Sequence, residues 1–551
     1  MAMERSVSNA DIADRLAGVA QLLAAAKENP FKVKAYRRAA DKIRTLSESL
    51  QELVQQDSDL THYAGIGEGI AGAIREIVAT GSLKKLEKLR SAAPAEINDL
   101  SAYPRLDPKR VLRVYKQLGI SSVEALRERL ASGEIERVLG LRIAQHLQQG
   151  LTASHAMLLY RADALRLAVE EYLLGPCGVK RAEAAGDYRR RVEVIEELSF
   201  LVETSDFIAV VARLRQYGGH MPVLKKGKGW VLFAMSSGIL LRVRNATSEE
   251  WGLALLNATG TKGHVKQLGP CKPKPSEPEV YANLGLPYIE PELREGRNEV
   301  ERARRGSLPA LVTVADIKGE LHAHSTSSDG ANSIQEMAVA ARAKGYEYIG
   351  ITDHSQSLKI ARGVSVEDLW QQIRFIEKLN GRLKGIRVLK SAEVDILADG
   401  SLDYPDDLLA ELDYTVCSIH SRFNLAKKEQ TERILRAMDN RYFNILGHAT
   451  GRRLLTRPGY EIDVARIIRH AKECGCFFEI NSSPERLDLS AENARAVAGE
   501  GLKIAVSTDA HSTRELEYAR CGIDQARRAG LTKIDLLNGL PWKVLRPLFR
   551  R

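Results

Sequence analysis

The chain has 551 residues, a hydrophobic fraction of 44% and a formal net charge of +10. Because single hydrophobic cores stop growing at roughly 250–300 residues, this length predicts several domains. No apolar stretch approaches the roughly 20 residues that span a bilayer, and the N-terminal residues lack the pattern of a signal or transit peptide. We therefore expect a cytoplasmic protein without a membrane anchor, with a monomer as the default state.

The positive charge is unevenly distributed along the chain. Residues 1–310 carry 46 basic and 38 acidic side chains, an excess of 8, whereas residues 311–551 carry 35 and 33, an excess of 2. A basic surplus favours a polyanionic partner such as nucleic acid, although it also occurs on ordinary solvated surfaces. The first part of the chain is therefore the better candidate for contact with DNA.

The N-terminal region is predicted to be all-helical, because apolar residues recur at helical spacing through residues 8–53. Its basic stretch at 31–38 contains the candidate DNA-binding side chains Lys32, Lys34, Tyr36 and Arg37. Further along, Gly65, Gly67 and Gly69 precede a helix that ends near Gly81, a pattern typical of a helix-hairpin-helix element. Such a turn presents backbone N–H groups to a phosphate without reading bases, whereas the alternative is a plain tight turn between helices.

Residues 155–275 have the texture of a mixed α+β domain. Strands are predicted at 194–202, 207–211, 230–234 and 239–243. A proline-rich stretch at 270–275 reads as a linker, and the charged, proline-broken residues 294–316 are predicted to tether the final domain.

The final domain alternates predicted strands with predicted helices at 333–344, 366–383, 461–474 and 491–501. Repeated strand–helix units favour parallel strands with helical crossovers, in an open sheet or a barrel. Seven apolar runs end abruptly in polar residues, and all but the run that ends at 479–481 supply an obvious metal ligand. In such folds the strand ends lie on one face, so these ligands should converge.

Nine side chains at or near these run ends are the predicted metal ligands: His322, His324, Asp329, His354, Glu393, His420, His448, Asp509 and His511. Six imidazoles and three carboxylates suit Mn²⁺, Zn²⁺ or Fe²⁺ better than Mg²⁺, and they suffice for three ions. Six of the seven histidines of this domain are in the set, which makes chance placement a poor explanation.

Such a site favours metal-dependent hydrolysis of a phosphoester, in which the ions activate water for in-line attack on phosphorus. Arg362, Arg422 and Arg452 follow ligand-bearing segments and are predicted to contact the substrate phosphate, with ordinary surface arginines as the alternative.

The nine-ligand pattern resembles that of the PHP (polymerase and histidinol phosphatase) domain, over residues 316–551. The resemblance implies a distorted (β/α)7 barrel with a trinuclear site in which Glu393 bridges metals. The N-terminal part resembles bacterial family X DNA polymerases, through residues 29–37, the Gly65-Ile66-Gly67 hairpin, Gly260-Thr261-Lys262 and residues 279–287.

The combined resemblance implies six regions along the chain. They are a helix-hairpin-helix DNA-binding domain at 1–90, a fingers-like helical region at 91–154, a palm-like domain at 155–245, a thumb-like region at 246–293, a linker at 294–315 and the PHP domain at 316–551.

The palm departs from the family pattern at the polymerase site. The family's aspartate pair falls on Glu197 and Ser199, and its third aspartate falls on Leu240. One potential ligand of three remains for the two Mg²⁺ ions of nucleotidyl transfer. In addition, Asp187 brings a negative charge to an expected triphosphate contact, and Ala73 replaces the lysine of the family's lyase chemistry.

We therefore expect a DNA repair protein whose PHP domain acts as a metal-dependent 3′-5′ exonuclease or related DNA phosphoesterase. The inactive polymerase core would hold gapped, recessed or damaged duplex without sequence preference. Three alternatives stay open: an active family X polymerase, a small-molecule phosphatase resembling histidinol phosphatase, and a non-catalytic DNA-binding protein.

Overall fold

The computed structural model describes residues 7–26, 28–46, 48–92, 108–120, 123–140, 143–144, 147, 156–235 and 238–549. By its internal contacts the chain divides into two compact units, Met1–Arg304 with Leu455–Arg457, and Arg305–Leu454 with Pro458–Arg551. Among the described residues, none of the helices combines the length and the apolar character that crossing a bilayer requires.

The first unit begins with a helical region, as predicted. Its helices are Asn9–Ala25, Pro30–Ile43, Leu50–Gln55, Glu68–Thr80 and Lys84–Ala92. The Ser8 hydroxyl and the Asp11 carboxylate form a capping box that starts the first helix, and Gly81 ends the fourth in a left-handed conformation. Apolar residues at helical spacing, such as Ile12 and Leu16, are fully buried and form the core of this region.

The predicted fingers-like region 91–154 lies partly outside the described residues. Its described helices are Pro108–Leu118, Val123–Ala131 and Glu134–Leu139. Val111, Val114, Leu126 and Ile135 are buried together, so this region has a small core of its own.

A five-stranded mixed sheet follows, in the order β2-β4-β7-β6-β5. Strands β4 and β7 are parallel, and the other neighbours are antiparallel. A separate two-stranded pair joins β1 to β3. The strands are β1 Met157–Leu158, β2 Arg181–Ala185, β3 Val194–Ile195, β4 Glu197–Glu203, β5 Val223–Gly227, β6 Trp230–Ala234 and β7 Leu240–Asn245.

One predicted strand of this region is wrong, because residues 207–211 belong to the helix Phe207–Leu214. The strand was predicted because residues 207–211 form a short apolar run, which fits a strand and a helix equally. Val210 and Leu214, four residues apart, are buried, whereas Ile208 is 84% exposed, which is the pattern of one helix face. The carboxylate of Asp206 accepts a hydrogen bond from the Ala209 N–H and caps the helix, a signal that the run alone did not carry.

The remaining helices of the first unit are Leu159–Leu174, Gly186–Arg189, Trp251–Thr259, Lys262–Leu268, Glu277–Asn283 and Glu299–Arg304, with 3-10 turns at Tyr217–Gly219 and Pro291–Leu293. A buried ion network joins them. The Glu277 carboxylate receives paired hydrogen bonds from Arg189 and also bonds Arg294, whose side chain is fully buried. Arg294 opens the predicted linker 294–315, so the start of that segment packs within the first unit.

The second unit is a parallel sheet of seven described strands in the order β14-β13-β12-β11-β10-β9-β8. A parallel bridge joins Ala323 at the end of one outer strand to Ala510, three residues after the end of the other, so the sheet is nearly closed into a barrel. This confirms the distorted (β/α)7 fold class. The strands are β8 Gly319–Ala323, β9 Tyr348–Ile351, β10 Arg387–Asp395, β11 Tyr414–Ser418, β12 Ile445–Leu446, β13 Phe477–Asn481 and β14 Ile504–Ser507.

Helical crossovers connect these strands, and the four helices predicted here are all present with small shifts in their ends. The described helices are Ile334–Ala343, Val366–Asn380, Asp406–Leu409, Lys427–Met438, Val464–Cys474, Ala491–Gly499, Ala519–Ala529 and Trp542–Leu545, with 3-10 turns at Val314–Asp316, Lys359–Ala361, Thr513–Tyr518, Lys533–Asp535 and Arg546–Phe549. Apolar residues of the strands and of the helices around them form a large core, and a second cluster packs strand residues such as Leu321 and Val416 against the C-terminal residues Leu545 and Phe549.

Candidate metal centre

All nine predicted ligands come together where the strands of the second unit end. His322 and His324 lie two residues apart at the end of β8, and both are fully buried. Three groups contain ligand atoms that all lie within 4.8 Å of one another. The groups are His324, Asp329, His354 and His511; His322, His324 and Asp509; and His354, Glu393 and His420.

Glu393, at 0% exposure, lies at the middle of this centre. Its Oε1 is 3.0 Å from Nε2 of His448 and 3.4 Å from Nε2 of His420. Its Oε2 is 2.8 Å from Nδ1 of His354 and 3.4 Å from Nε2 of His322. The two oxygens of one carboxylate thus face different sets of imidazoles, which is the arrangement that a carboxylate shared between two ions requires.

Further carboxylates orient the imidazoles from behind. Oε1 of Glu479 is 2.7 Å from Nδ1 of His322, and Oδ1 of Asp395 is 2.6 Å from Nδ1 of His420. Such bonds hold a proton on Nδ1 and leave Nε2 as the ligand atom. Neither carboxylate was among the predicted site residues, and no ligand was predicted in the run that ends at 479–481. Asp395 does carry a signal in the sequence, since it follows Glu393 by two residues on one strand and therefore shares its face.

Burial and charge set the protonation of the centre. Burial would raise the pKa of Glu393, but the imidazoles of His354, His420 and His322 outweigh it and lower that pKa well below its usual range. Burial disfavours protonation of His420, yet Glu393 and Asp395 raise its pKa to about 10. Burial lowers the pKa of His324 to about 4, helped by His354. Glu393 therefore stays a carboxylate despite its burial.

The residues fit divalent ions. Two buried imidazole nitrogens of the centre, Nδ1 of His324 and Nδ1 of His448, make no hydrogen bond. A buried polar atom without a partner is costly unless something else satisfies it, and a metal ion is a partner for an imidazole lone pair or a carboxylate oxygen. The combination of nitrogen and carboxylate ligands without thiolate suits Mn²⁺, Zn²⁺ or Fe²⁺.

The three predicted phosphate-binding arginines differ in their surroundings. Arg362 and Arg422 are exposed and adopt left-handed backbone conformations, with φ of 57° and 52°, shortly after His354 and His420. Arg452 is half-buried and donates a hydrogen bond to the Leu487 carbonyl. Phosphate contact therefore stays a prediction, with Arg362 and Arg422 the better placed.

A fourth arginine, which the sequence analysis did not identify, lies at the centre itself. Nε of Arg486 is 3.5 Å from Oδ2 of Asp509, and one fifth of its side chain is exposed. It lies in the loop after β13, the strand for which no metal ligand was predicted. A guanidinium here can pair with a phosphate while its neighbours hold ions.

Comparison with known proteins agrees with both halves of this description. A family model described as a helix-hairpin-helix domain matches residues 7–83, and one described as a PHP domain matches residues 320–483. The DNA polymerase/3'-5' exonuclease PolX of Bacillus subtilis (strain 168) is 34% identical, over 98% of this chain and 99% of its own length. The chain belongs to the PolX family.

Other relatives match only part of the PolX chain. A probable phosphatase of Thermoanaerobacter sp. (strain X514) is 32% identical over 40% of this chain and 89% of its own length. A probable phosphatase of Acetivibrio thermocellus is 32% identical over 36% of this chain and 80% of its own length. The PHP domain is metal-dependent, and the second unit contains clusters of histidine and carboxylate side chains that could hold metal ions.

Glu197, one of the three positions on which the aspartates of the family pattern fall, forms an ion pair with Arg242. Glu197 accepts hydrogen bonds from Arg242, Nε to Oε1 at 2.7 Å and Nη2 to Oε2 at 2.6 Å, and from the Ser199 hydroxyl at 2.8 Å. Leu240 lies opposite Glu197 on the parallel neighbour β7. The one carboxylate at the three positions is thus neutralised by a guanidinium.

The hairpin of the PolX chain presents open backbone. Gly65 has φ of 94° and Gly67 is the N-cap of Glu68–Thr80, and a Cβ added to Gly65, Gly67 or Gly69 would meet no heavy atom within 4 Å. A phosphate can therefore approach these N–H groups closely.

Three of the four predicted DNA-binding side chains nearby are exposed: Lys32, Lys34 and Arg37. The fourth, Tyr36, has different surroundings. Its ring is buried in the helical core, and its hydroxyl accepts a hydrogen bond from Nζ of Lys85 at 3.0 Å. Contact between Tyr36 and DNA therefore stays a prediction, and the three exposed side chains are the better placed.

Proposed function

We propose that this protein is a metal-dependent phosphoesterase that shortens DNA from its 3′ end, a 3′-5′ exonuclease, by means of the PHP centre. The observation that carries the proposal is the convergence of nine ligands around the shared carboxylate of Glu393. The family relationship supports it, since the B. subtilis relative is named both a DNA polymerase and a 3'-5' exonuclease.

We propose that the three groups of ligands hold three ions, of Mn²⁺, Zn²⁺ or Fe²⁺. When bound, such ions activate water for in-line attack on phosphorus and neutralise the charge of the phosphate oxygens. The chain supplies the rest. Glu479 and Asp395 hold protons on Nδ1 of His322 and His420, so their Nε2 atoms point lone pairs into the centre. Arg486, joined by exposed arginines, positions the phosphate.

The first unit serves to hold the DNA. Its helix-hairpin-helix turn offers backbone N–H groups, and its exposed lysines and arginine offer charge, so binding is independent of base sequence. We propose gapped, recessed or damaged duplex as the substrate and a monomer as the active form. The division of this unit into DNA-binding, fingers-like, palm-like and thumb-like regions belongs to the same proposal.

The test is a labelled-strand assay on gapped and recessed duplexes with Mn²⁺. It compares the unmodified chain with His322→Ala and with His220→Ala, an exposed histidine of the first unit. We expect ladder-like shortening from the 3′ end that disappears only in His322→Ala. Shortening that persists in His322→Ala would assign the activity to a contaminant or to another site.

We further propose that the polymerase site is inactive. Leu240 cannot bind a metal, and the carboxylate of Glu197 is already paired with Arg242. The same labelled duplexes, incubated with dNTPs and Mg²⁺ or Mn²⁺, should show no extended product, and the His322→Ala variant removes shortening that would mask extension. A product longer than the primer would refute the proposal.

The similarity of part of the chain to probable phosphatases favours one other candidate, a small-molecule phosphatase. The open hairpin of the first unit argues against it, because a small substrate has no use for a phosphate-backbone contact. Tight, salt-dependent binding to gapped duplex would support the exonuclease, whereas rapid hydrolysis of small phosphomonoesters without DNA binding would support the phosphatase.

A further inference from the structure

A second group of metal-type ligands lies in the second unit outside the nine-residue centre. It consists of Asp439, His470 and Cys474. Nε2 of His470 is 2.9 Å from Oδ1 of Asp439 and 3.5 Å from Sγ of Cys474, and the sulfur is 4.0 Å from the same Oδ1. Three different ligand atoms therefore form one small triangle.

The triangle has the size of one face of a zinc tetrahedron. With Zn²⁺ bonds of about 2.3 Å to sulfur and about 2.0–2.1 Å to nitrogen and oxygen, tetrahedral angles place the ligand atoms about 3.4–3.6 Å apart. Each observed separation lies within roughly 0.6 Å of that range. Small side-chain rotations would suffice, because Asp439 is largely exposed.

The backbone favours a cation at this point. His470 and Cys474 are four residues apart on the helix Val464–Cys474, so both face the same side. Cys474 is the last residue of that helix, and Asp439 caps the C-terminal end of Lys427–Met438. Two helix C-termini, each with a partial negative charge, thus meet at the triangle.

The surrounding charges support a metal-binding histidine. Oε2 of Glu473 is 3.6 Å from Nδ1 of His470, on the side of the ring away from the triangle. At this distance the carboxylate makes no hydrogen bond to the ring, but its negative charge favours a cation nearby. The lysine of this helix, Lys472, pairs with Glu500, so its ammonium group does not occupy the place of a metal ion.

The alternative for a cysteine beside a histidine and an aspartate is a nucleophile activated by proton relay. A relay needs the thiol on one ring nitrogen and the carboxylate on the other, because the ring passes the proton between them. Here Sγ of Cys474 and Oδ1 of Asp439 both approach Nε2 of His470. The carboxylate of Glu473, 3.6 Å from Nδ1, is too far away for the hydrogen bond that a relay needs. Convergence on one nitrogen suits a shared ion and not a relay.

We propose that Asp439, His470 and Cys474 form a peripheral site for a thiophilic divalent ion of the Zn²⁺ class, with its fourth position open to water. The helix Val464–Cys474 leads directly into the start of β13, whereas the nine ligands lie at the strands' carboxyl ends. The peripheral site is therefore at the opposite edge of the barrel, where an ion ties two helices together without touching substrate.

Co²⁺ can test the proposal, because only a thiolate ligand gives a sulfur-to-cobalt charge-transfer band, and none of the nine residues of the PHP centre is a cysteine. The full chain, stripped with a chelator and titrated with Co²⁺, should show this band. Cys474→Ser and His470→Ala should lose it. Cys271→Ser, which alters a half-buried cysteine of the first unit, should keep it.

A second measurement needs no variant. Zn²⁺ should slow alkylation of Cys474 at least tenfold, as followed by mass spectrometry of the peptide that contains it.

Mn²⁺-dependent shortening of DNA by Cys474→Ser should stay within twofold of the unmodified chain, which separates this site from the exonuclease centre. Absence of the charge-transfer band in the unmodified chain, its persistence in Cys474→Ser, or alkylation that is indifferent to Zn²⁺ would overturn the proposal.

Discussion

Replacement of Glu393 by glutamine is the sharpest test of the PHP centre. The change is isosteric, so it keeps the packing of a fully buried side chain and removes one negative charge and one ligand oxygen. Five of the six imidazoles of the centre lie within 4 Å of this carboxylate: His322, His324, His354, His420 and His448. An amide nitrogen in place of either oxygen leaves one of the two ligand sets without its shared anion.

The magnitude follows from the short distances. At an effective dielectric constant of about 20, two unit charges about 4 Å apart interact by about 4 kcal/mol. A loss of this size is roughly a thousandfold in an equilibrium constant. We therefore expect the Kd for Mn²⁺ to rise about a thousandfold in Glu393→Gln, with at least a hundredfold loss of 3′-5′ shortening at a fixed, subsaturating Mn²⁺ concentration.

The assay pairs calorimetric titration with Mn²⁺ and the labelled-strand reaction. Glu485→Gln serves as the control, because this glutamate is exposed and lies in the loop after β13 without belonging to the centre. It should leave both measurements unchanged. If Glu393→Gln bound Mn²⁺ within threefold of the unmodified chain, the shared-carboxylate description of the centre would be wrong.

Other variants address the remaining contacts. Glu479→Gln should weaken metal binding about 10–100-fold, because it removes the carboxylate that orients His322; equal affinity by the same titration would contradict that role. Arg486→Ala should lower kcat/KM on DNA about 10–100-fold through loss of a charge-assisted contact, with Arg453→Ala as an exposed control; an effect on Mn²⁺ affinity alone would point to support of Asp509 instead. Glu277→Gln should destabilise the first unit by about 3–5 kcal/mol, because it leaves the buried Arg294 without its partner, whereas the exposed Glu249→Gln should be neutral in denaturant unfolding. Burial would raise the pKa of Glu277, but Arg189 and Arg294 lower it to about 2, so its contribution is complete above about pH 4.5 and is lost as the pH falls toward 2; thermal unfolding of Glu277→Gln should show a weaker dependence on pH across that window.

Much of the PHP centre could be predicted from sequence, because parallel strands place their carboxyl ends on one face and each ligand follows an apolar run. The orienting carboxylates could not be found in this way. Glu479 lies within a strand, two residues before its end, and only the three-dimensional register places it behind His322. The helix Phe207–Leu214 was missed for a related reason, since a short apolar run fits a strand and a helix equally until its cap is recognised.

The Glu197–Arg242 pair also lay beyond the sequence analysis. The residue types at Glu197, Ser199 and Leu240 predicted a palm without its metal ligands, but not which group takes up the surviving charge. Parallel pairing of β4 with β7 sets Ser199 opposite Arg242, and this register brings the guanidinium to the carboxylate. Pairing between strands about forty residues apart is not visible in local patterns.

The bridge between Ala323 and Ala510 has a consequence for biosynthesis. Ala323 follows the first ligand, His322, and Ala510 precedes the last, His511, so the set of ligands is complete only after almost the whole chain has left the ribosome. The described residues before Arg305 are made earlier and have cores of their own. The first unit can thus fold before the PHP domain is complete. A chain that terminates before His511 lacks part of the ligand set.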